Sequence, residues 1–385
     1  MKKVRLGLIG IGNMGTLHAN SVLAGKVPRL ELAAVVDQDP ARRARFAGVT
    51  GFATAEELFA SGTVDAVLIA TPHYSHTSVG IAALQAGLHV LVEKPISVHK
   101  ADAERLLAAH TNKKQVFAAV FNQRTDLYYR KIRQLIQCGE LGTLRRVNWI
   151  ITDWFRPEIY YASGGWRATW AHEGGGVLLN QCPHNLDLLQ WLCGMPERVR
   201  AHCRFGQHHK IEVEDEVTAY LEFPGGASGV FIATTGEAPG TNRLEITGDR
   251  GKIVYESDQI KFTRNEVPTA EFSRTTPEAF AKPDTWDVSI PVKGHGGQHN
   301  EILANFADAI LDGVPLIAPA AEGIHSVELA NAMLYSTWTD ATVELPLDGK
   351  RYARALQRKI AASKFKKPRP AVAARASGFA QSFGR

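Results

Sequence analysis

Short apolar runs alternate with helix-compatible stretches through the first third of the chain. The runs fall at residues 4–9, 32–36, 64–70, 88–92 and 116–120. Their aliphatic and β-branched side chains have the texture of strands buried on both faces. Between them, helices are predicted over 16–24, 40–46, 55–59, 78–86 and 101–110. Strand and helix in alternation predict βαβ units and a parallel sheet. Beyond residue 145 the pattern changes. Strand-like runs at 145–151, 213–223, 227–235, 241–247, 252–256 and 259–263 follow one another without long helices between them. That order predicts a second, mostly antiparallel sheet. Also predicted are an aromatic, glycine-bearing loop over 153–167, a helix over 177–192 and a polar loop over 265–283. Helical periodicity at 298–312 and 321–337 is expected to close the second unit.

The first run leads into Gly10-Ile11-Gly12-Asn13-Met14-Gly15, a G-x-G-x-x-G turn between strand and helix. Gly10 suits the tight turn, Gly12 lets a pyrophosphate approach the backbone, and Gly15 lets helix and strand pack closely. The helix N-terminus, with Asn13 and Met14 in its first turn, offers N–H groups to the phosphates. The second run ends in Asp37, about 20 residues downstream, where a ribose hydroxyl acceptor belongs. A structural glycine turn, with Asp37 capping the next helix, is the other reading. In parallel sheets ligands bind beyond the carboxyl ends of the strands. The stretches Thr71-Pro72-His73-Tyr74-Ser75-His76, Glu93-Lys94-Pro95 and Asn122-Gln123-Arg124 are therefore expected to share one crevice with the glycines. The stretch from Thr71 to His76 is read as a polar loop.

At 385 residues the chain is expected to hold two domains. They are placed at 1–122, for dinucleotide binding, and at 123–345, with a C-terminal helix and basic tail over 346–385. Cys138, Cys182, Cys193 and Cys203 lack CxxC spacing and read as reduced thiols. Glycines interrupt the N-terminal apolar run, so it reads as a strand rather than a secretion signal. No run of 18 apolar residues is present, and no membrane association is expected. A cytoplasmic protein is the expectation. Net charge is +5, concentrated from Lys350 onward in lysines and arginines with no acid. This reads as a solvated, partly disordered tail rather than a nucleic-acid patch.

Two positions carry candidate chemistry. Lys94 stands at a predicted strand end before Pro95, at a candidate cis bond. Its ammonium can steady negative charge on a substrate oxygen, with Glu93 orienting it; the pair also reads as a surface turn. Asn180, His184 and Asp187 lie at i, i+4 and i+7, on one helical face, with Pro183 breaking the helix just before His184. An imidazole there suits a proton acceptor at neutral pH, and it also reads as a satisfied core histidine. His172, His295 and His299 are rivals. No spacing supports a metal site, and none is expected.

Taken in order, Gly10–Gly15 with Asp37, Glu93-Lys94-Pro95, Trp166-Arg167 and Gly174-Gly175-Gly176 with Asn180, His184 and Asp187 resemble the Gfo/Idh/MocA family of oxidoreductases. The resemblance covers roughly residues 3–340. It implies an α/β N-terminal Rossmann domain and an α+β C-terminal domain with a large open, mostly antiparallel sheet. It implies NAD(P)-dependent hydride transfer with a sugar, sugar derivative or cyclitol, substrate binding and oligomerisation by the 123–345 domain, and a homodimer or homotetramer built on the large sheet. Lys94 then looks like the essential lysine, contacting nicotinamide ribose and substrate hydroxyl, and His184 like the histidine that takes the hydroxyl proton. Trp166 and Arg167 look like a pair between cofactor and substrate. The expected cofactor contacts are Gly10, Gly12, Asn13, Met14, Gly15, Asp37, Thr71, Pro72, His73, His76, Glu93, Lys94, Asn122 and Arg167. The expected substrate contacts are Lys94, Arg124, Trp166, Asn180 and His184. Asn180 departs from the aspartate usual in inositol-dehydrogenase-like members: an amide binds a hydroxyl but cannot accept its proton. Asp37 favours NAD, while Arg42 and Arg43 leave NADP as an alternative. Two further readings stay open, a glycosidase-like enzyme that recycles bound NAD and a non-catalytic sugar or nucleotide sensor.

Overall fold

The computed structural model describes residues 2–368. Six strands form an all-parallel sheet: β1 (Val4–Ile9), β2 (Leu30–Val36), β3 (Thr50–Phe52), β4 (Ala66–Ile69), β5 (His89–Val92) and β6 (Phe117–Ala119). Their order is β3-β2-β1-β4-β5-β6, so the chain reverses direction across the sheet between β1 and β4. That reversal opens a crevice beyond the strands' carboxyl ends. The central strands are fully buried: Leu8, Val67, Leu68, Val90 and Leu91 have no accessible surface. Helices on both faces shield them, which is why these strands read as unbroken apolar runs.

The second sheet has nine strands, β7 (Leu144–Ile151), β8 (Arg198–Phe205), β9 (Glu214–Glu222), β10 (Ser228–Thr234), β11 (Asn242–Gly248), β12 (Gly251–Glu256), β13 (Gln259–Asn265), β14 (Thr285–Ile290) and β15 (Val343–Glu344). Their order is β14-β13-β12-β11-β7-β10-β9-β8-β15. Among these pairings only β7 with β10 is parallel. Trp149 of β7, paired with Leu244, lies fully buried in the core beneath the helices.

Several expectations need correction. The helix after β4 runs His73–Gln85, so most of the stretch expected as a polar loop is helical. Pro72 sits at its N-cap with extended geometry, ending the strand and leading straight into the helix. The helix expected over 177–192 is two helices, Val177–Asn180 and Pro183–Cys193, with Pro183 at the start of the second. The break takes Asn180 off the helical face it was expected to share with His184 and Asp187. Inside the expected polar loop lies a helix, Thr269–Thr275, and edge strand β14 follows it.

The helix Gln298–Asp312 does not close the second unit. Its Ile302, Leu303, Phe306 and Ala307 belong to the core of the parallel sheet. The next long helix, Gly323–Thr339, serves both cores: Val327 joins the first, and Leu329 to Tyr335 contribute to the second. At this junction the buried Lys100 Nζ donates to Glu328 at 2.7 Å and to the Leu347 carbonyl at 2.8 Å. Within 346–385, where a C-terminal helix and a basic tail were expected, the helix is Gly349–Ala362, with Tyr352 and Leu356 fully buried. Residues 369–385 lie outside the described residues. Among the described residues no helix is long and apolar enough to cross a membrane.

Candidate functional site

Gly10 has φ +90°, and a Cβ there would meet the Ala70 carbonyl oxygen at 2.8 Å. A Cβ on Gly15 would lie 1.9 Å from the Gly10 oxygen, so only glycine allows helix and strand this close. At Gly12 the same position is open space. The helix that begins at Asn13 has no side-chain cap and no acid in its first turn. Its exposed N–H groups fit a pyrophosphate. At the end of β2, Asp37 Oδ2 accepts the Ile11 N–H at 3.0 Å and pairs with Arg42 at 3.3 Å. The carboxylate is thus fixed beside the glycine turn.

The loops after β4 and β5 are joined by His76, whose ring lies between the carbonyls of Thr71 at 2.8 Å and Pro95 at 2.7 Å. The neighbouring His73 reaches the other half of the molecule. Its Nδ1 lies 3.3 Å from the Glu173 carbonyl, and its ring meets Trp166 edge-on at 4.7 Å. From the end of β5, Lys94 also crosses: its Nζ donates to the Asn180 carbonyl at 2.7 Å. The peptide from Lys94 to Pro95 is cis.

Beneath Lys94, Glu93 is buried against His18, with Oε1 and Nε2 2.7 Å apart. Burial pushes the Glu93 carboxyl up. Hydrogen bonding to His18 and the charges of His18, His299 and Lys94 outweigh it and hold the group at about 2. Burial lowers Lys94 from the ordinary lysine range, Glu93 opposes that, and Arg156 adds to the lowering. His184 is buried, and its ring meets Phe121 edge-on at 6.1 Å. Burial, then the charges of Lys94 and His299, push it well below the usual histidine range. The ring is therefore neutral at pH 7. Its Nδ1 is enclosed, with no hydrogen-bond partner among the described residues.

Trp166 and Arg167 sit on the loop before the glycine segment, and the Arg167 guanidinium lies over the Tyr160 ring at 4.7 Å. Asn122 is buried and donates to Gln298 at 2.7 Å. Arg124, expected at the substrate, is committed within the fold. Its Nε and Nη2 donate to Asp187 at 2.7 and 2.6 Å, and Nη1 pairs with Glu322. Only 1% of the side chain is exposed. Asp187, expected beside His184, is the other half of that pair. Two residues were missed by sequence reasoning. His18 carries no signal beyond its helix position. Glu173, a buried carboxyl group bonded to Asn180, stands directly before the three glycines, and an acid at that place was the available sign.

Residues 4–121 match the oxidoreductase-family NAD-binding Rossmann fold, and residues 129–254 match the GFO/IDH/MocA C-terminal domain. Together the two take in well over half of the chain. A levoglucosan dehydrogenase from Pseudarthrobacter phenanthrenivorans is 26% identical, over 90% of this chain and 99% of its own. An inositol 2-dehydrogenase from Rhizobium meliloti is 26% identical, over 86% and 96%. The crystal structure of the WlbA dehydrogenase from Bordetella pertussis, in complex with NADH and UDP-GlcNAcA, superposes with a TM-score of 0.77 at 26% identity. It covers 90% of this chain and 99% of that one.

Proposed function

As the chain belongs to the GFO/IDH/MocA oxidoreductase family and carries its NAD-binding Rossmann fold, we propose that it oxidises a hydroxyl of a sugar, sugar derivative or cyclitol, with Lys94 and His184 as its catalytic residues. One observation carries this reading. Lys94, at the end of a strand of the parallel sheet, is bonded to Asn180 of the segment that also brings His184, and the Lys94 charge is felt at the His184 ring. On this reading a donor and a neutral base, one from each half of the molecule, lie within electrostatic reach of each other. The names of the levoglucosan and inositol relatives support the substrate class.

Bound nicotinamide supplies the hydride acceptor. The chain's own residues position the alcohol and take its proton. The Lys94 ammonium donates to the reacting oxygen and steadies the negative charge that grows there. His184, neutral at pH 7, accepts the hydroxyl proton. Asn180 cannot take a proton and serves to bind a hydroxyl. Asp37 accepts from the adenosine ribose hydroxyls and repels a 2′-phosphate, which favours NAD over NADP.

The test is NADH formation against inositols, aldoses, anhydrosugars and glycosides, with NADP run in parallel. The expected result is turnover of one class, lost in Lys94→Ala and His184→Ala. Full activity in both variants, or hydrolysis of a glycoside without net NADH, overturns the reading.

A further inference from the structure

The crevice holds a carboxyl group that the proposed reaction leaves unused. Glu173 is buried, and its Oε2 accepts the Ala168 N–H at 2.6 Å. Its Oε1 accepts from Nδ2 of Asn180. Residues 173–179 are all buried, whereas Asn180 is partly exposed. Its backbone carbonyl is the one that holds Lys94. Among the described residues no hydrogen bond reaches Asn180 Oδ1. A carboxylate has acceptors only, so it must take the amide's NH2 end. The carbonyl end of the same amide is then turned away from Glu173.

We propose that Glu173 is a positioning residue for the substrate: by holding Nδ2 of Asn180 it turns Oδ1 outward to accept from a substrate hydroxyl beside Lys94. The inference rests on the sugar or cyclitol reading above. Lys94 can only donate and Oδ1 can only accept. A hydroxyl next to both is held at its oxygen and at its hydrogen, which fixes its orientation.

The arrangement depends on the charge of Glu173. Burial dominates and raises the group to about 7, against hydrogen bonds from Asn180 and Ala168 and the charges of Arg167 and Lys367. The carboxyl of Glu214 and the phenol of Tyr161 face it as well, and His73 lies at its backbone carbonyl. Once protonated, Glu173 presents an O–H. The amide then turns its Oδ1 inward and offers NH2 to the substrate. An outward acceptor becomes an outward donor as pH falls through neutrality.

The experiment uses the full chain labelled with 15N at asparagine side chains. The Asn180 signal is identified by its loss in Asn180→Asp. In the wild type it should move with an inflection near pH 7, and Glu173→Gln should abolish that inflection. For the polyol that the panel identifies, E173Q should raise KM about tenfold, the size of one lost hydrogen bond between neutral groups, with kcat nearly unchanged. The double variant E173Q/N180D should recover KM. There the two groups exchange roles: the amide introduced by E173Q donates to the carboxylate introduced by N180D, which still turns its other oxygen outward. A flat Asn180 titration in the wild type overturns the proposal, even if E173Q does not fold. So does an E173Q variant with unaltered KM, or one that N180D fails to rescue. If no polyol turns over, the dehydrogenase reading fails by itself, while the titration still decides the pairing of Glu173 with Asn180.

Discussion

His18 and Glu93 form a buried pair 2.7 Å apart under the floor of the crevice, and the second carboxylate oxygen of Glu93 accepts the Lys94 N–H at 3.1 Å. One carboxylate thus anchors the first helix of the dinucleotide unit and the backbone of the proposed catalytic lysine. The Glu93 group lies at about 2 in the folded protein, against an ordinary 4.5. A depressed carboxyl stabilises the fold above its unfolded value and loses that contribution as pH falls through the folded one. The window is therefore about pH 4.5 down to 2, and the contribution is on the order of 3 kcal/mol. Glu93→Gln should flatten acid unfolding across that window. The Glu93 charge also raises Lys94, so the variant should move the alkaline limb of kcat/KM to lower pH. A limb that stays in place would separate Glu93 from the function of Lys94.

Glu214 behaves in the opposite sense. It is fully buried, its Oε1 accepts the Leu178 N–H at 3.0 Å, and its Oε2 has no hydrogen-bond partner among the described residues. Burial raises it to about 8, against backbone hydrogen bonds that lower it and with the nearby Glu173 adding to the rise. A raised carboxyl favours the folded state fully below the unfolded value near 4.5, and the advantage is lost as pH rises through 8. That difference is roughly 5 kcal/mol between the two limits. Glu214→Gln keeps the acceptor for Leu178 and removes the charge. Thermal unfolding at pH 5 and pH 9 should show a large fall for the wild type and a smaller one for the variant. Equal falls would mean that Glu214 does not control the alkaline loss.

The glycine turn, Asp37 and the parallel strands were legible because their signals are local. Gly10 needs its positive φ whatever the rest of the chain does, and β4 is apolar because both its faces are covered. Strand β8 was not legible. Its outward Arg198, Arg200, His202 and Arg204 alternate with only Val199, Ala201 and Cys203 facing in, a weak apolar stripe. In the candidate site, Lys94 and His184 stood out by motif, but the partners that define them did not. The pair of His18 and Glu93 joins residues far apart in the chain, and so does the bond from Lys94 to Asn180. Arg124 looked like a crevice residue because it follows a strand end. Nothing local announces that Asp187 and Glu322 enclose it.

That enclosure predicts a large structural cost. Arg124 is the buried cation between the fully buried Asp187 and the more exposed Glu322. Removing one partner of a buried pair leaves the other charge uncompensated, at about 3–5 kcal/mol. Arg124→Ala should lose that much in denaturant unfolding. Arg124→Lys should also be destabilising, because an ammonium cannot reproduce the two parallel bonds to Asp187. In the double variant R124A/D187N much of the loss should return, since no buried charge is then unpaired. Additive losses would show that the two residues act separately. A change in substrate KM at unaltered stability would return Arg124 to the substrate site.

Cofactor choice turns on Asp37 and the two arginines after it. The carboxylate is held by the Ile11 N–H and by the Asp39 N–H, each at 3.0 Å, and Arg42 pairs with it from a side chain that is 44% exposed. Asp37→Ser keeps a short polar side chain near the Ile11 N–H and removes the negative charge. NADH then loses a charged acceptor for its ribose hydroxyls, which should weaken its binding roughly tenfold. NADPH gains on two counts: the repulsion of its 2′-phosphate disappears, and Arg42 is released to meet that phosphate. Titration calorimetry with NADH and NADPH measures both effects without a substrate. The affinity ratio should move toward NADPH by more than either change alone, and Arg42→Ala in the D37S background should reverse the gain. If wild-type protein binds the two cofactors equally, or D37S leaves the ratio where it was, Asp37 is not the group that selects between them.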